Sequence, residues 1–230
     1  EYNTLYEQVT TGIWADVSQQ VGLAAPSMDM LAFGTQFLDI DSNGTQELIV
    51  ANGHLNDYTI RGQAYRMPTQ VFERGGDGAW SLRSNEELGE YFTTKRLSRS
   101  LITLDANRDG MVDALITHLF DPVSLLVNES EGTGKSVTLF LKSVTGHPDA
   151  IGAQVTMKVG DKTLNTQLIG GNGYQCANQR MLHVGLGEAE KVDAITVQWP
   201  WGALEEFPPV ATGREYLLIE GSGEAFELGR

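Results

Sequence analysis

Two short turns decide the reading of this chain: Asp39-Ile40-Asp41-Ser42-Asn43-Gly44-Thr45-Gln46-Glu47 and Asp105-Ala106-Asn107-Arg108-Asp109-Gly110-Met111-Val112-Asp113. Each sets oxygen-bearing side chains at positions 1, 3, 5 and 9, with glycine at position 6. That is how a calcium loop of the EF-hand kind begins: glycine permits the sharp turn and position 7 offers a backbone carbonyl. An EF-hand would close with a bidentate Glu at position 12, where this chain has Val50 and Ile116. The flanks are short β-prone runs, so each turn is expected to join two strands, with the position-9 acid completing the shell. Three acids in the first turn and three in the second repel unless a cation joins them. Carboxylates ~4–5 Å apart cost roughly 3–4 kcal/mol per pair at an effective dielectric of ~20. All-oxygen donors call for a hard ion, and a flexible loop suits Ca2+ better than Mg2+. The expected ligands are Asp39, Asp41, Asn43, Thr45 (carbonyl) and Glu47 in one site, and Asp105, Asn107, Asp109, Met111 (carbonyl) and Asp113 in the other. The competing reading is a pair of metal-free Asx turns.

The turns belong to a longer repeat. At an offset of 66 residues, Leu5-Tyr6-Glu7 matches Val71-Phe72-Glu73, Gly12 and Trp14 match Gly78 and Trp80, and Glu47 matches Asp113. A third partial copy begins at Leu125-Leu126-Val127-Asn128. Each copy reads as a few antiparallel strands, with short helices near residues 16–22 and 86–91. Such units bury their faces only by stacking or closing into a ring, most simply as β-propeller blades. Two or so blades do not close a ring. The neighbours are therefore expected upstream or from another chain, and open sheet edges allow self-association. The repeated Trp14 and Trp80 are expected in the core.

After Asn128 the repeat stops, and the polar run NESEGTGK reads as a linker. Strands are expected at 136–143, 153–159, 162–169, 181–185, 193–199 and 215–220, with alternation clearest in QVTMKV and AITVQW. Six strands at that spacing suggest a small β-sandwich or barrel. The expected fold is thus all-β: incomplete propeller blades over residues 1–130, a β-domain over 131–222 and a tail over 223–230.

Composition narrows the function. With 16 basic and 30 acidic residues the net charge is -14, which opposes nucleic acid and anionic membrane surfaces. No apolar run is long enough for a membrane span. Cys176 is the single cysteine, so neither an internal disulfide nor a thiolate zinc cluster is available, and a half-buried packing role is expected. Gly170-Gly171-Asn172-Gly173-Tyr174 reads as a tight bend rather than an anion cradle. Arg180, His183 and Trp201 are candidate ligand contacts, with a structural role the commoner one for such a histidine. Asn43-Gly44-Thr45 and Asn128-Glu129-Ser130 are formal glycosylation sequons.

The strings FLDIDSNGTQELIVANGH and LDANRDGMVDALITHL resemble FG-GAP/VCBS repeats, the blade units of integrin-type propellers. The later strings DAIGAQVTMKVG, GGNGYQCANQRMLHVGLGEAEKVDAITVQWPWG and EEFPPVATGREYLLI resemble the ASPIC/UnbV domain. The two modules stand in the order found in cartilage acidic protein-like proteins. The resemblance implies an extracellular, periplasmic or cell-surface module holding two Ca2+ ions. It would serve binding, adhesion or scaffolding toward a protein or carbohydrate ligand, without intrinsic catalysis. The alternatives are an accessory or catalytic domain of a secreted enzyme and a structural cap on a larger propeller.

Overall fold

The computed structural model describes residues 2–229. The first half is a propeller-like arrangement of small antiparallel sheets. A hairpin of β1 (Tyr6–Thr10) and β2 (Ile13–Asp16) leads through α1 (Ala24–Ser27) into a four-stranded sheet. That sheet is β3 (Ala32–Leu38), β4 (Glu47–Asn52), β5 (Gln70–Arg74) and β6 (Trp80–Leu82), in sequential order. Next come α2 (Glu90–Thr93) and a three-stranded sheet of β7 (Ser98–Leu104), β8 (Asp113–His118) and β9 (Ser124–Leu126).

The 66-residue offset is visible in three dimensions. The β1–β2 hairpin corresponds to β5–β6, α1 to α2, and β3–β4 to β7–β8. The third partial copy at Leu125 lies in β9, which pairs with β8 as β5 pairs with β4. The short helices fall later than the expected 16–22 and 86–91. Gly22 at φ +88° is hostile to an α-helix, and residues 18–22 form turns instead. In the second copy Gly89 at φ +101° starts α2 at Glu90.

The two sheets pack closely because glycine removes side chains from their contact. A Cβ on Gly34 would lie 2.6 Å from the Leu101 amide nitrogen, and one on Gly53 would lie 2.7 Å from the Leu97 Cα. Leu38, Ile49, Val71, Leu101, Val112 and Ile116 fill the space between them. Arg99 adds a polar tie: its guanidinium donates to the carbonyls of Gly53 and His54 and lies over the Phe33 ring. His118 is half-buried and spans its own sheet, facing Ser98 Oγ of β7 at one ring nitrogen and Ser124 Oγ of β9 at the other. Burial, with the nearby Arg96 charge adding to it, holds its pKa below the ordinary histidine value.

The second half is a β-sandwich. Its strands are β10 (Lys135–Lys142), β11 (Gln154–Val159), β12 (Lys162–Gln167), β13 (Leu182–Gly187), β14 (Lys191–Val192), β15 (Ala194–Gln198), β16 (Leu204–Phe207), β17 (Val210–Ala211), β18 (Arg214–Ile219) and β19 (Ala225–Leu228). One sheet runs β13-β10-β18-β19, the other β12-β11-β15-β16, and β14 pairs with β17. Alternation works as read: Val155, Met157, Ile195 and Val197 point into one core with Val137, Leu139 and Leu218. Two features depart from expectation. The segment 223–230, expected as a tail, supplies β19, which pairs antiparallel with β18 through Leu217↔Phe226. Strands β10 and β18 pair parallel, Val137↔Arg214 through Lys142↔Ile219, across a connection far longer than a hairpin.

Candidate metal centre at the domain junction

The two acidic turns fold alike. Position 4 is left-handed in both, Ser42 at φ 57° and Arg108 at φ 61°, and so is position 6, Gly44 at 90° and Gly110 at 88°. The position-1 carboxylate accepts the position-6 amide: Gly44 N–H to Asp39 Oδ2 at 2.8 Å, Gly110 N–H to Asp105 Oδ2 at 2.9 Å. The position-9 acid reaches back to position 2: Ile40 N–H to Glu47 Oε2 and Ala106 N–H to Asp113 Oδ2, both 2.8 Å. Asn43 Oδ1 accepts from Thr45 N–H, and Asp109 Oδ1 from Met111 N–H. Strand ends are thus tied by carboxylates that also face the turn's interior.

The first turn gathers ligand atoms of Asp39, Asp41 and Glu47 within 4.8 Å of one another. Asp39 and Glu47 are buried. Burial raises the Asp39 pKa to about 6, with the Asp41 charge adding to the rise and the Gly44 and Asn43 amides opposing it. Burial likewise raises Glu47 to about 7, with Asp41 and Asp39 adding and the Ile40 amide opposing. A cation among these oxygens would remove the repulsion, so the residues fit a hard divalent ion.

The second turn is looser: among the described residues its three acids form no such cluster. Asp113 has both oxygens engaged, by the amides of Ala106 and Asn128, and Asp109 accepts from the Asn107 amide at 2.7 Å. Length explains the difference. Glu47 has one methylene more than Asp113 and extends toward Asp39 and Asp41. One sign of a missing partner remains in the second turn: Asp105 Oδ1 is buried without a hydrogen bond.

The first turn is also a joint between the domains. Asp41 and Ser42 present carbonyls to the amides of Gly134 and Gly187, at 2.8 and 3.0 Å. A Cβ on Gly185 would fall 1.8 Å from Asp39 Oδ2, and one on Gly134 would fall 2.4 Å from the Ser42 carbonyl oxygen. Farther along, the side-chain amides of Gln36 and Asn178 bond each other twice, and Thr103 N–H donates to Asn178 Oδ1. The glycine-rich stretch 170–173 does bend, and it docks: Gln36 Nε2 donates to the Asn172 carbonyl, and Tyr174 packs edge-on against Phe33 at 4.9 Å. Cys176 is half-buried there, its thiol donating to the Leu101 carbonyl.

Of the candidate ligand contacts, His183 sits at this joint, with Nδ1 3.2 Å from Thr138 Oγ1 and Nε2 3.5 Å from Ser42 Oγ. Arg180 donates to the carbonyls of Ile169 and Gly170 and lies 3.9 Å from Asp149. Trp201 is 81% exposed and covers Gly146. A cleft of about 480 Å3 opens beside the first turn, between Phe37, Arg74 and Trp80 of the blade and Asn165 and Thr166 of β12. His183 lines it; Arg180 and Trp201 do not.

Residues 143–225 match the family described as ASPIC and UnbV. The ASPIC/UnbV region takes in β11 through β18 and reaches the start of β19, so it is the greater part of the sandwich. It includes Gly185 and Gly187, the residues that receive the acidic turn, and the 170–178 docking stretch. No curated protein matches the chain.

Sequence reasoning missed Gln36 and Asn178, and it read Asn128 as a repeat position and a sequon, not as a link. Asn128 Nδ2 donates to the Ile40 carbonyl at 2.8 Å and the Val112 carbonyl at 3.3 Å, linking the two acidic turns. Its sequon is therefore an amide already committed within the fold. The available signal was its position directly after the last repeat strand.

Proposed function

We propose that this chain is a calcium-stabilised binding or scaffolding module of the FG-GAP/VCBS kind joined to an ASPIC/UnbV domain, acting outside the cytoplasm on a protein or carbohydrate ligand. The observation that carries the reading is the likeness of the two turns: the same left-handed positions and the same carboxylate-to-amide bonds, 66 residues apart. Asp39, Asp41, Asn43, Glu47 and the Thr45 carbonyl would hold one ion; Asp105, Asn107, Asp109, Asp113 and the Met111 carbonyl would hold the other. Oxygen-ligand loops of extracellular modules fill at millimolar Ca2+, which favours an extracytoplasmic setting. The ion's work is mechanical: it ties β3 to β4 and β7 to β8, and it holds the first turn in the shape that the ASPIC/UnbV glycines accept. The junction cleft beside that turn offers the ligand aromatic and amide surface.

The test is thermal unfolding with Ca2+ and with chelator, on wild type and on Asp39→Ala plus Asp105→Ala. At a hundredfold excess over Kd, each filled site adds about 2.7 kcal/mol. Wild type should melt higher with Ca2+ and the double variant should not respond. Identical melting in all four samples removes the metal from the reading.

A further inference from the structure

The acidic turns join β3 to β4 and β7 to β8. Because the strands are antiparallel, the next connections leave the opposite end of the sheets: residues 53–69 between β4 and β5, and residues 119–123 between β8 and β9. The segment 94–97 joins them there. Met67 and Arg96 exchange backbone hydrogen bonds at 2.9 Å, Leu119 N–H donates to the Leu97 carbonyl at 2.9 Å, and Arg66 pairs with Asp121 at 2.5 Å. The first connection is far longer than its twin, and connections beyond about 12–15 residues are uncommon without a function. It is also ordered: His54 N–H donates to the Tyr65 carbonyl at 2.9 Å, and the Arg61 guanidinium lies 5.3 Å from the centre of the Tyr58 ring. Yet its apolar tips are not buried. Ile60 is 95% exposed and Leu55 61%. In the second connection Phe120 is 85% exposed, on a left-handed backbone at φ 65°. A bulky side chain is strained there, and burial does not offset that strain. For the fold alone, glycine or asparagine would serve better at this position.

The same surface is cationic. It carries Arg61, Arg66, Lys95 and Arg96 against Asp57 and Asp121, in a chain of net charge -14. Both acids are engaged locally: Asp57 accepts the Thr59 amide and hydroxyl at 3.0 and 2.6 Å, and Asp121 takes Arg66. Among the described residues Arg61, Lys95 and Arg96 have no acidic partner. We propose that this end of the blades binds an acidic, partly apolar peptide segment of a partner protein. Its apolar side chains meet Ile60 and Phe120, and its carboxylates meet Arg61 and Lys95. A chain this acidic repels such a segment elsewhere, so charge steers it to this end. An anionic polysaccharide would use the cations alone and leave the two apolar tips in water. The surface lies away from the junction cleft and needs no calcium, so it stands apart from the metal reading.

In the experiment, a display library of random peptides is selected on the full chain and counter-selected on Ile60→Ser plus Phe120→Gly, which discards binders to other faces. We expect the survivors to be rich in aspartate and glutamate and to carry an aromatic or branched aliphatic residue. A survivor made synthetically should bind Arg61→Glu plus Lys95→Glu at least about tenfold more weakly than wild type, and should bind wild type more weakly as salt rises. Phe120→Gly alone should weaken it by a similar factor and melt no lower than wild type, because glycine accepts the left-handed backbone. Survivors without acidic enrichment, or indifferent to the charge reversal, overturn the proposal. So does a lowered melting temperature for Phe120→Gly, which would make the ring a folding element. Heparin binding that needs Arg61 and Lys95 but ignores Phe120→Gly, with no peptide recovered, overturns it in favour of a polysaccharide.

Discussion

At the scale of single residues, identical letters in the repeat have different energetic weight. Trp80 is 7% exposed against Leu48, Val50 and Phe72, whereas Trp14, its repeat partner, is mostly solvated. The expectation that both lie in the core holds for Trp80 and fails for Trp14, because among the described residues no strand pairs with the outer edge of β1 to cover it. Trp80→Ala should therefore cost about 3–5 kcal/mol, and Trp14→Ala less than about 0.5 kcal/mol, measured by denaturant unfolding. Gly185 is a sharper case. Any Cβ there meets the Asp39 carboxylate, so Gly185→Ala should cost about 1–3 kcal/mol and loosen the sandwich from the blade. Gly171→Ala, with open space at its Cβ, is the matched control and should unfold like wild type. Equal stability of the two glycine variants would deny the close approach its importance.

At the scale of elements, two carboxylate devices respond to pH in opposite directions. In the first acidic turn the folded pKa values of Asp39 and Glu47, about 6 and about 7, lie above their ordinary values of 3.8 and 4.5. The folded state therefore binds more protons, and without a divalent ion stability falls as pH rises from about 4 to 7. Calcium competes with those protons, so added Ca2+ should stabilise more at pH 8 than at pH 5. Glu220 behaves oppositely. The Thr145 hydroxyl and amide, the Ser143 hydroxyl and the Val144 amide hold its pKa down, from 4.5 to about 2. Its contribution is present above about pH 4.5 and is lost as pH falls toward about 2. Melting temperatures in chelator from pH 3 to 8 should thus peak near the acidic middle of that range. Glu220→Gln should remove much of the low-pH arm and leave the high-pH arm in place; an unaltered low-pH arm would contradict this.

At the scale of the whole molecule, the acidic turn between β3 and β4 serves two structures at once. It closes a blade hairpin, and its outer carbonyls accept from Gly134, just ahead of β10, and from Gly187, the last residue of β13. Asn128 then links it to the second turn across the blade interface. Occupancy of the first turn should consequently stiffen contacts beyond its own blade. Exchange at the amides of Gly134 and Gly187, which bond the turn's carbonyls, should slow on adding Ca2+ to wild type and not to Asp39→Ala. Slowing confined to β3 and β4 would mean that the joint does not sense the ion.

The sequence by itself determined the all-β class, the 66-residue repeat, the acidic turns and the alternating core strands of the sandwich. These are local properties: side-chain period, a glycine where the backbone must turn left-handed, and acids spaced along a few residues. Only the tertiary structure decided that β10 and β18 run parallel, that 225–228 is a strand, that the two acidic turns are unequal, and that Gly185, Gln36 and Asn178 form the joint. Those outcomes depend on what a segment meets from far along the chain. Gly134 and Gly187 look in sequence like any flexible turn; their role follows from the carbonyls of Asp41 and Ser42 lying against them. At Gly134 a glycine is needed because the acidic turn approaches closer than a side chain allows, and at Gly187 because the backbone is left-handed at φ +59°; no local pattern records how close a distant backbone comes.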